Sequence, residues 1–351
     1  MSTSGRYRHV VVQRFGEPLV MQIVDDDLHP LGRGQARVRI LAADVSFSDV
    51  NIRRGRYPGG PKPPFTPGYA MVGTVEEVPA GISSPAVGQM VAALTFYGSY
   101  SQYISLPMQE LVPLPAGLDP AESVALVLNY VAAHQMLHRV ARVRSDQQIL
   151  VHGGAGGVGT AFLELARLVG ARTYATASRP KHDLVKRLGA IPIDYKTEDF
   201  VTRIDDLTDG HGVDAVFDPL GSEHLRQSVK VVRRSGSLVA YGFYEAARRG
   251  RSPVLDVLAQ YLWLTLWSLP PQRRHVTFYD IRTEKGRHPD WFREDLIALG
   301  ELLAAGRIKP VINSRLGFDD LVQAHAQIER AEVQGKLILV PNAWEGPGTS
   351  L

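Results

Sequence analysis

The run Gly153-Gly154-Ala155-Gly156-Gly157-Val158-Gly159 follows the strand-like Ile149-Leu150-Val151 and precedes apolar residues at Val158, Ala161, Phe162, Leu165, Leu168 and Val169. A buried strand, a glycine-rich turn and an amphipathic helix in direct succession describe the opening of a parallel βαβ unit. In the GxGxxG frame, Gly154 is placed for the tight turn, Gly156 lets backbone approach a pyrophosphate, and Gly159 lets the helix pack closely on the sheet. The N–H groups of the helix start, at Gly157 and Val158, and the helix dipole then hold the anion. Gly170 stands in a C-cap position. A dinucleotide site is the expectation.

The surroundings of that loop set the architecture. Strand-like segments at Gln148–Val151, Arg172–Ala177, Ile191–Asp194, Val213–Phe217, Ser237–Tyr241 and Val276–Tyr279 alternate with helical stretches. That alternation predicts an α/β fold with a doubly wound parallel sheet of the Rossmann type. From Arg8 to about Ala125, short β-branched runs such as Val10-Val11-Val12 are separated by Gly and Pro, which predicts a β-rich domain with long loops. Helices are expected at Arg293–Ala305 and Phe318–Glu332, and a strand at Lys336–Val340.

The identity of the nucleotide is written at the end of the second strand of the parallel sheet. An NAD site places Asp or Glu about 20 residues beyond the loop, to hold the ribose hydroxyls. Here the strand runs into Ser178-Arg179-Pro180-Lys181, with no acid. A hydroxyl and two cations suit a 2′-phosphate, which points to NADPH.

Composition narrows the chemistry. The chain has 351 residues and no cysteine, which removes disulfides, thiolate nucleophiles and any Cys-based zinc site. Basic and acidic residues are interspersed and the net charge is +3, a weak basis for nucleic-acid binding. Met1–Tyr7 is polar, with no apolar signal core, so a cytoplasmic protein is expected. Val254–Leu269 is strongly apolar but contains Asp256 and Gln260 and falls short of the roughly 20 apolar residues of a membrane span. It reads as a helix packed at a domain junction or in a subunit contact, or as an interfacial helix flanked by arginines. His134 and His138 have helical i, i+4 spacing, but without a third ligand they read as packing or cap chemistry, and no metal is expected.

Several further motifs carry a family resemblance: Phe15-Gly16, Asp49–Tyr57 (DVNIRRGRY), Pro67-Gly68-Tyr69 with Val72-Gly73, Leu128-Asn129-Tyr130-Val131, the glycine loop, Ile193-Asp194-Tyr195, Phe217–Gly221 and Gly335-Lys336. From about Val10 to Pro341 the chain resembles the zinc-independent quinone oxidoreductase branch of the medium-chain dehydrogenase/reductase superfamily. The resemblance implies a GroES-like catalytic domain over 1–126, completed by 284–351, and a Rossmann NADPH-binding domain over 127–283. It implies that Lys181 and Tyr195 sit beside the 2′-phosphate and that Gly242-Phe243-Tyr244 passes the nicotinamide side. It also implies that Phe47, Asn129 and Lys336 lie near the nicotinamide or its ribose. Zinc members carry Cys where this chain has Ser46, and Gly-His-Glu where it has Gly68-Tyr69-Ala70.

Without zinc, hydrogen-bond donors must polarise the acceptor, which favours hydride addition to a conjugated carbonyl, a quinone or enone. Tyr57 is the first candidate proton donor, or else a pocket wall; Tyr69 is second, and Ser46 and Asn51 are candidate pocket polar groups. The resemblance is broken at Ala70, Ala132 and His134. These changes read as drift around an intact hydride site, as a pocket enlarged for a bulky enone, or as a titratable His134 acting near the substrate. Reduction of a carbonyl or enoyl-thioester, and a low-turnover NADPH-binding sensor or partner protein, are the competing functions. A homodimer is the expected assembly.

Overall fold

The computed structural model describes residues 5–242 and 274–342. The chain divides into two units, Met1–Leu128 with Arg293–Leu351, and Asn129–Phe292. The expected features of Phe243, Tyr244 and the apolar segment 254–269 lie outside the described residues. Among those described, no helix is long and apolar enough to cross a membrane.

The first unit is β-rich. Strands β1 (Arg6–Val12) and β2 (Met21–Asp27) form an antiparallel ribbon. The long β3 (Gln35–Val45) is followed by helix α1 (Phe47–Arg53), then by β4 (Ala70–Glu77), β5 (Met90–Leu94), β6 (Tyr103–Pro107), β7 (Val112–Pro113) and helix α2 (Pro120–Ala125). β3 is the hub, because its two ends and both edges are used: it pairs with β4, with β6 and with the late strand of the chain described below. Its residues from Ala36 on are almost all buried, which is why the run Ala36–Leu41 carries little polar alternation.

The second unit carries the parallel sheet. After a short helix α3 (Val131–His134) come β8 (Gln148–His152), α4 (Gly157–Val169), β9 (Arg172–Ala177), α5 (His182–Arg187), β10 (Ile191–Asp194), α6 (Phe200–Leu207), β11 (Val213–Asp218), α7 (Ser222–Val231), β12 (Val232–Ala240), β13 (His275–Phe278) and α8 (Ile281–Arg287). Six described strands lie in the order β10-β9-β8-β11-β12-β13, all parallel. The chain leaves central β8 toward β9 on one side and returns as β11 on the other. A crevice therefore opens beyond the carboxyl ends of β8, β9 and β11. Leu150, Tyr174, Ile193, Val216, Leu225 and Leu238 fill the interface with the covering helices.

The chain then returns to the first unit through α9 (Pro289–Ala304), β14 (Ile312–Leu316), a 3-10 turn at Phe318–Asp320, α10 (Leu321–Glu329) and β15 (Lys336–Leu339). β15 pairs antiparallel with β3 and parallel with β14.

Three details depart from the sequence pattern. β12 begins at Val232 rather than Ser237, because Arg233-Arg234-Ser235 forms an exposed end that hydrophobicity does not mark although Val232 pairs with Val213. The expected helix Phe318–Glu332 is split into the 3-10 turn and the shorter α10. The segment holding His134 and His138 is not a regular α-helix: Gln135–Val140 forms wide π turns, and the two rings lie 4.4 Å apart.

Burial of ionisable groups gives the fold a pH signature. His325 on α10 is fully buried, bonded through Nε2 to the Tyr100 hydroxyl at 3.2 Å, and burial followed by the charge of Arg53 pushes its imidazole down to about 3. The unfolded imidazole titrates near 6.5, so between these values the unfolded chain binds the extra proton and the His325 contribution to stability is lost as pH falls. At pH 5.5 that contribution is lower by about 1.4 kcal/mol. Asp49, pushed up to about 7 chiefly by burial, acts in the opposite sense. The measurable quantity is therefore a difference: His325→Gln should lose less Tm than the wild type between pH 7.5 and 5.5 in thermal-shift measurements. Equal losses would contradict the assignment.

Candidate active site

In the parallel-sheet unit, the crevice at the strand ends is framed by the glycine loop. Gly153 is the residue that turns left-handed, with φ of 69°, so it and not Gly154 makes the tight turn. Gly154 is required for another reason: a Cβ there would lie 2.6 Å from the Cβ of Ala175 on β9. At Gly159 a Cβ would lie 2.7 Å from the Gly154 Cα and overlap the Gly153 carbonyl, so helix and loop can meet only without a side chain. Gly156 differs, because its Cβ would make only ordinary contact, 3.4 Å from the Gly153 oxygen. Its lack of a side chain serves no internal packing and leaves the space in front of α4 open. The first helical bond runs from Thr160 N–H to Gly156 O at 2.8 Å, so the N–H groups of Gly157, Val158 and Gly159 stand at the positive end of a 13-residue helix.

The loop is tied to β9 by one residue. Thr176 accepts Gly153 N–H on its hydroxyl oxygen at 3.1 Å and Gly154 N–H on its backbone carbonyl at 3.0 Å. Two residues later the strand gives way to Ser178 and a 3-10 turn, Arg179–Lys181, closed by Lys181 N–H to Ser178 O at 2.8 Å. Arg179 is exposed, and on the adjacent strand end Tyr195 is 55 % exposed. Beside them, Asp194 is buried and accepts Lys196 N–H at 3.1 Å within its own turn. Asn129, in the wide π turn Leu126–Tyr130, is buried and its side-chain nitrogen has no hydrogen-bond partner. A buried amide donor with nothing to bond is costly unless a ligand supplies the acceptor. At Gly242, beyond β12, a Cβ would lie 3.1 Å from the Pro219 Cα, so that strand end also passes close to its neighbour. The loop, the basic turn and the orphaned amide fit a phosphate-bearing dinucleotide.

In the β-rich unit, Tyr57 and Tyr69 are brought together, with their hydroxyls 2.7 Å apart and rings edge to face at 5.9 Å. Tyr69 is buried against Phe96, whereas Tyr57 is half-buried. Ser46 and Asn51 are engaged by the backbone of α1. The Ser46 hydroxyl accepts Asp49 N–H at 3.3 Å and donates to Asp49 Oδ2 at 2.6 Å, a capping box, and Asn51 donates to Phe47 O at 3.1 Å. Phe47 opens α1 and is half-buried. Lys336 is buried in an ion pair with Asp44 across the β15–β3 pairing.

Residues that sequence reasoning passed over also converge. Asp49 accepts Gly68 N–H at 3.1 Å and so holds the loop carrying Tyr69, where Gly68 has φ of 108°. In the other unit, His152, Asp218 and His224 place one donor atom each within 4.8 Å of one another. His152 directly precedes the glycine loop and Asp218 lies in the Phe217–Gly221 motif, yet no spacing joins residues 152, 218 and 224 before the sheet is formed.

The sequence and fold are similar to those of known proteins. Residues 32–116 match the alcohol dehydrogenase GroES-like domain, and residues 188–339 match the zinc-binding dehydrogenase domain. The synaptic vesicle membrane protein VAT-1 homolog of Rattus norvegicus is 31% identical over 316 residues, 88% of this chain and 78% of that protein. The phthioceranic/hydroxyphthioceranic acid synthase of Mycobacterium tuberculosis is 30% identical over 88% of this chain, a segment that is 14% of the synthase. The crystal structure of Escherichia coli quinone oxidoreductase complexed with NADPH superposes with a TM-score of 0.83 at 25% identity, covering 95% of this chain and 100% of that one. The chain belongs to the quinone oxidoreductase-like branch of the medium-chain dehydrogenase/reductase superfamily. It is an oxidoreductase of that superfamily, with a GroES-like domain and a Rossmann sheet.

The contrast between the glycines is testable. Gly159→Ala should overpack the loop and cost about 1–3 kcal/mol of stability. Gly156→Ala should leave Tm near the wild-type value while weakening dinucleotide binding, read by quenching of intrinsic fluorescence. A large loss of Tm in Gly156→Ala would show that the open space is structural.

Proposed function

We propose that this protein is an NADPH-dependent, zinc-independent reductase that adds hydride to a conjugated carbonyl compound, a quinone or an enone. The observation that carries the cofactor is the turn Ser178-Arg179-Pro180-Lys181 at the end of β9, beside the glycine loop, where the strand end itself carries no acid. Backbone N–H groups of Gly157 and Val158 would take the pyrophosphate, and Ser178, Arg179, Lys181 and Tyr195 the 2′-phosphate. Asn129 would bond the nicotinamide or its ribose, in keeping with its orphaned nitrogen. When bound, NADPH supplies the hydride. The NADPH complex of the Escherichia coli structure supports this reading.

Zinc does not fit the residues present. The three positions where zinc relatives carry ligands hold Ser46, which is occupied as a helix cap, Tyr69, which pairs with Tyr57, and Ala70, which has no donor. The polarising group must then be a hydrogen-bond donor, and the tyrosine pair provides one. Either hydroxyl of the pair can donate to the other; with Tyr69 as donor to Tyr57 Oη, the Tyr57 hydroxyl would be the one to protonate a reacting oxygen or carbon. Lys336, which the family resemblance places near the nicotinamide, is paired with Asp44 across the β15–β3 pairing.

Reduction of an enoyl-thioester is the second reading. It draws on the similarity to the mycobacterial acid synthase and uses the same cofactor site and donor.

Purified protein should oxidise NADPH in the presence of quinones or enones. Removing Arg179 or Lys181 should raise the KM for NADPH about tenfold each, the loss of about 1.4 kcal/mol per charge-assisted bond, with little change for NADH. Equal use of NADH and NADPH by the wild type would overturn the cofactor assignment. Tyr57→Phe should lower kcat/KM for an enone by about 100-fold if the phenol donates the proton. An unchanged value would make Tyr57 a wall of the pocket.

A further inference from the structure

The His152, Asp218 and His224 cluster has a donor set that a divalent cation could use, but its atoms are already committed. Asp218 Oδ1 accepts the N–H groups of Leu220, at 2.7 Å, and Gly221, at 3.3 Å. Its Oδ2 accepts from His224 Nδ1 at 2.7 Å and from the Ser228 hydroxyl at 2.7 Å. The proton positions follow from donor counting. Ser228 has a single proton and gives it to Asp218, so its contact with His152 Nε2, at 3.2 Å, makes the imidazole the donor. A neutral His152 that donates from Nε2 must accept at Nδ1. Its partner there is the Thr176 hydroxyl at 3.1 Å, which therefore donates to His152 and accepts Gly153 N–H on the same oxygen.

One directed chain results. It runs from Gly153 N–H to Thr176, from Thr176 to His152, from His152 to Ser228, and from Ser228 to the Asp218 carboxylate, with His224 closing the far end. His152, Asp218 and Ser228 are fully buried, and Phe200 stacks against His224 with ring centroids 5.1 Å apart and lies edge-on to His152 at 4.7 Å. Burial followed by the charge of His224 pushes the His152 imidazole down to about 3, so it stays neutral and keeps the direction of the chain. The buried carboxylate is what orients every hydroxyl between it and the loop.

We propose that this relay is the positioning device of the dinucleotide loop. Ser228 and Asp218, which lie on the far side of His152 from the loop, set the position of the Gly153 peptide through Thr176. The inference rests on the reading of the glycine loop as a dinucleotide site. Because that loop would contact the pyrophosphate common to both nicotinamide cofactors, the relay should govern NADPH and NADH alike, unlike the basic turn.

The test is a double-mutant cycle on the full chain with Thr176→Val and Ser228→Ala, reading Kd for NADPH and NADH by fluorescence. Each single variant should raise both Kd values about tenfold, and the double variant also about tenfold, since either change breaks the same chain. The kcat at saturating cofactor should hold, and Ser228→Thr, which keeps the hydroxyl, should restore binding. Wild-type Kd values in Ser228→Ala, or a double variant weakened about 100-fold, would overturn the relay. If Ser228→Ala does not fold, Ser228→Thr and Thr176→Val decide: loss of binding with the hydroxyl present, or none without Thr176, overturns it. A wild-type protein that binds neither cofactor overturns the site reading beneath it.

Discussion

The contact between the glycine loop and β9 is the constraint on which the parallel-sheet unit depends. Gly154 lies against Ala175, Gly159 closes onto Gly153, and Thr176 takes the first two loop N–H groups. These contacts bring the start of α4 to the carboxyl edge of the sheet, where its unpaired N–H groups and dipole face the crevice. Moving the helix outward by the width of a methyl group would separate the anion-binding end from the basic turn that follows β9. Gly154 and Gly159 are therefore needed for packing before they are needed for any ligand, Gly153 is needed for its left-handed turn, and Gly156 is the one that packing leaves over.

The β-rich unit is organised by buried charge instead. Asp49 caps α1 through Ser46 and holds Gly68, and through Gly68 the loop that presents Tyr69 to Tyr57. Arg53 and Arg54 at the other end of α1 bind Glu329 on α10, Arg54 with both oxygens at 2.8 and 2.9 Å. Lys336 and Asp44 join β15 to β3. Each of these pairs spans a long stretch of sequence, so the C-terminal return of the chain is locked to the N-terminal sheet by ions that would be costly to bury singly. The tyrosine pair is rigid because the frame behind it is.

In both units the chemistry-bearing groups lie at the ends of regular elements and a second rank of polar residues orients them. Thr176, His152, Ser228 and Asp218 stand behind the glycine loop as Ser46 and Asp49 stand behind the Tyr69 loop. The second rank is buried and fully bonded, which makes it stiff, whereas Tyr57, Arg179 and Tyr195 are left partly or largely open.

What the amino-acid sequence determined by itself was local or periodic. The order of strands and helices in the parallel sheet, the glycine frame and the missing acid after β9 could be read directly, since strand pattern, turn chemistry and charge act over a few residues. The exposed start of β12 could not, because its pairing with β11 and not its own hydrophobicity makes it a strand. Nor could the left-handed turn at Gly153, which neighbouring glycines compete to make, or the capture of Ser46 by α1. The tasks of Asp49, Lys336 and the His152–Ser228–Asp218 chain were decided only by tertiary structure. Their partners lie from three to about three hundred positions away, and a hydrogen bond or ion pair depends on distance in space, which the closed sheets alone supply.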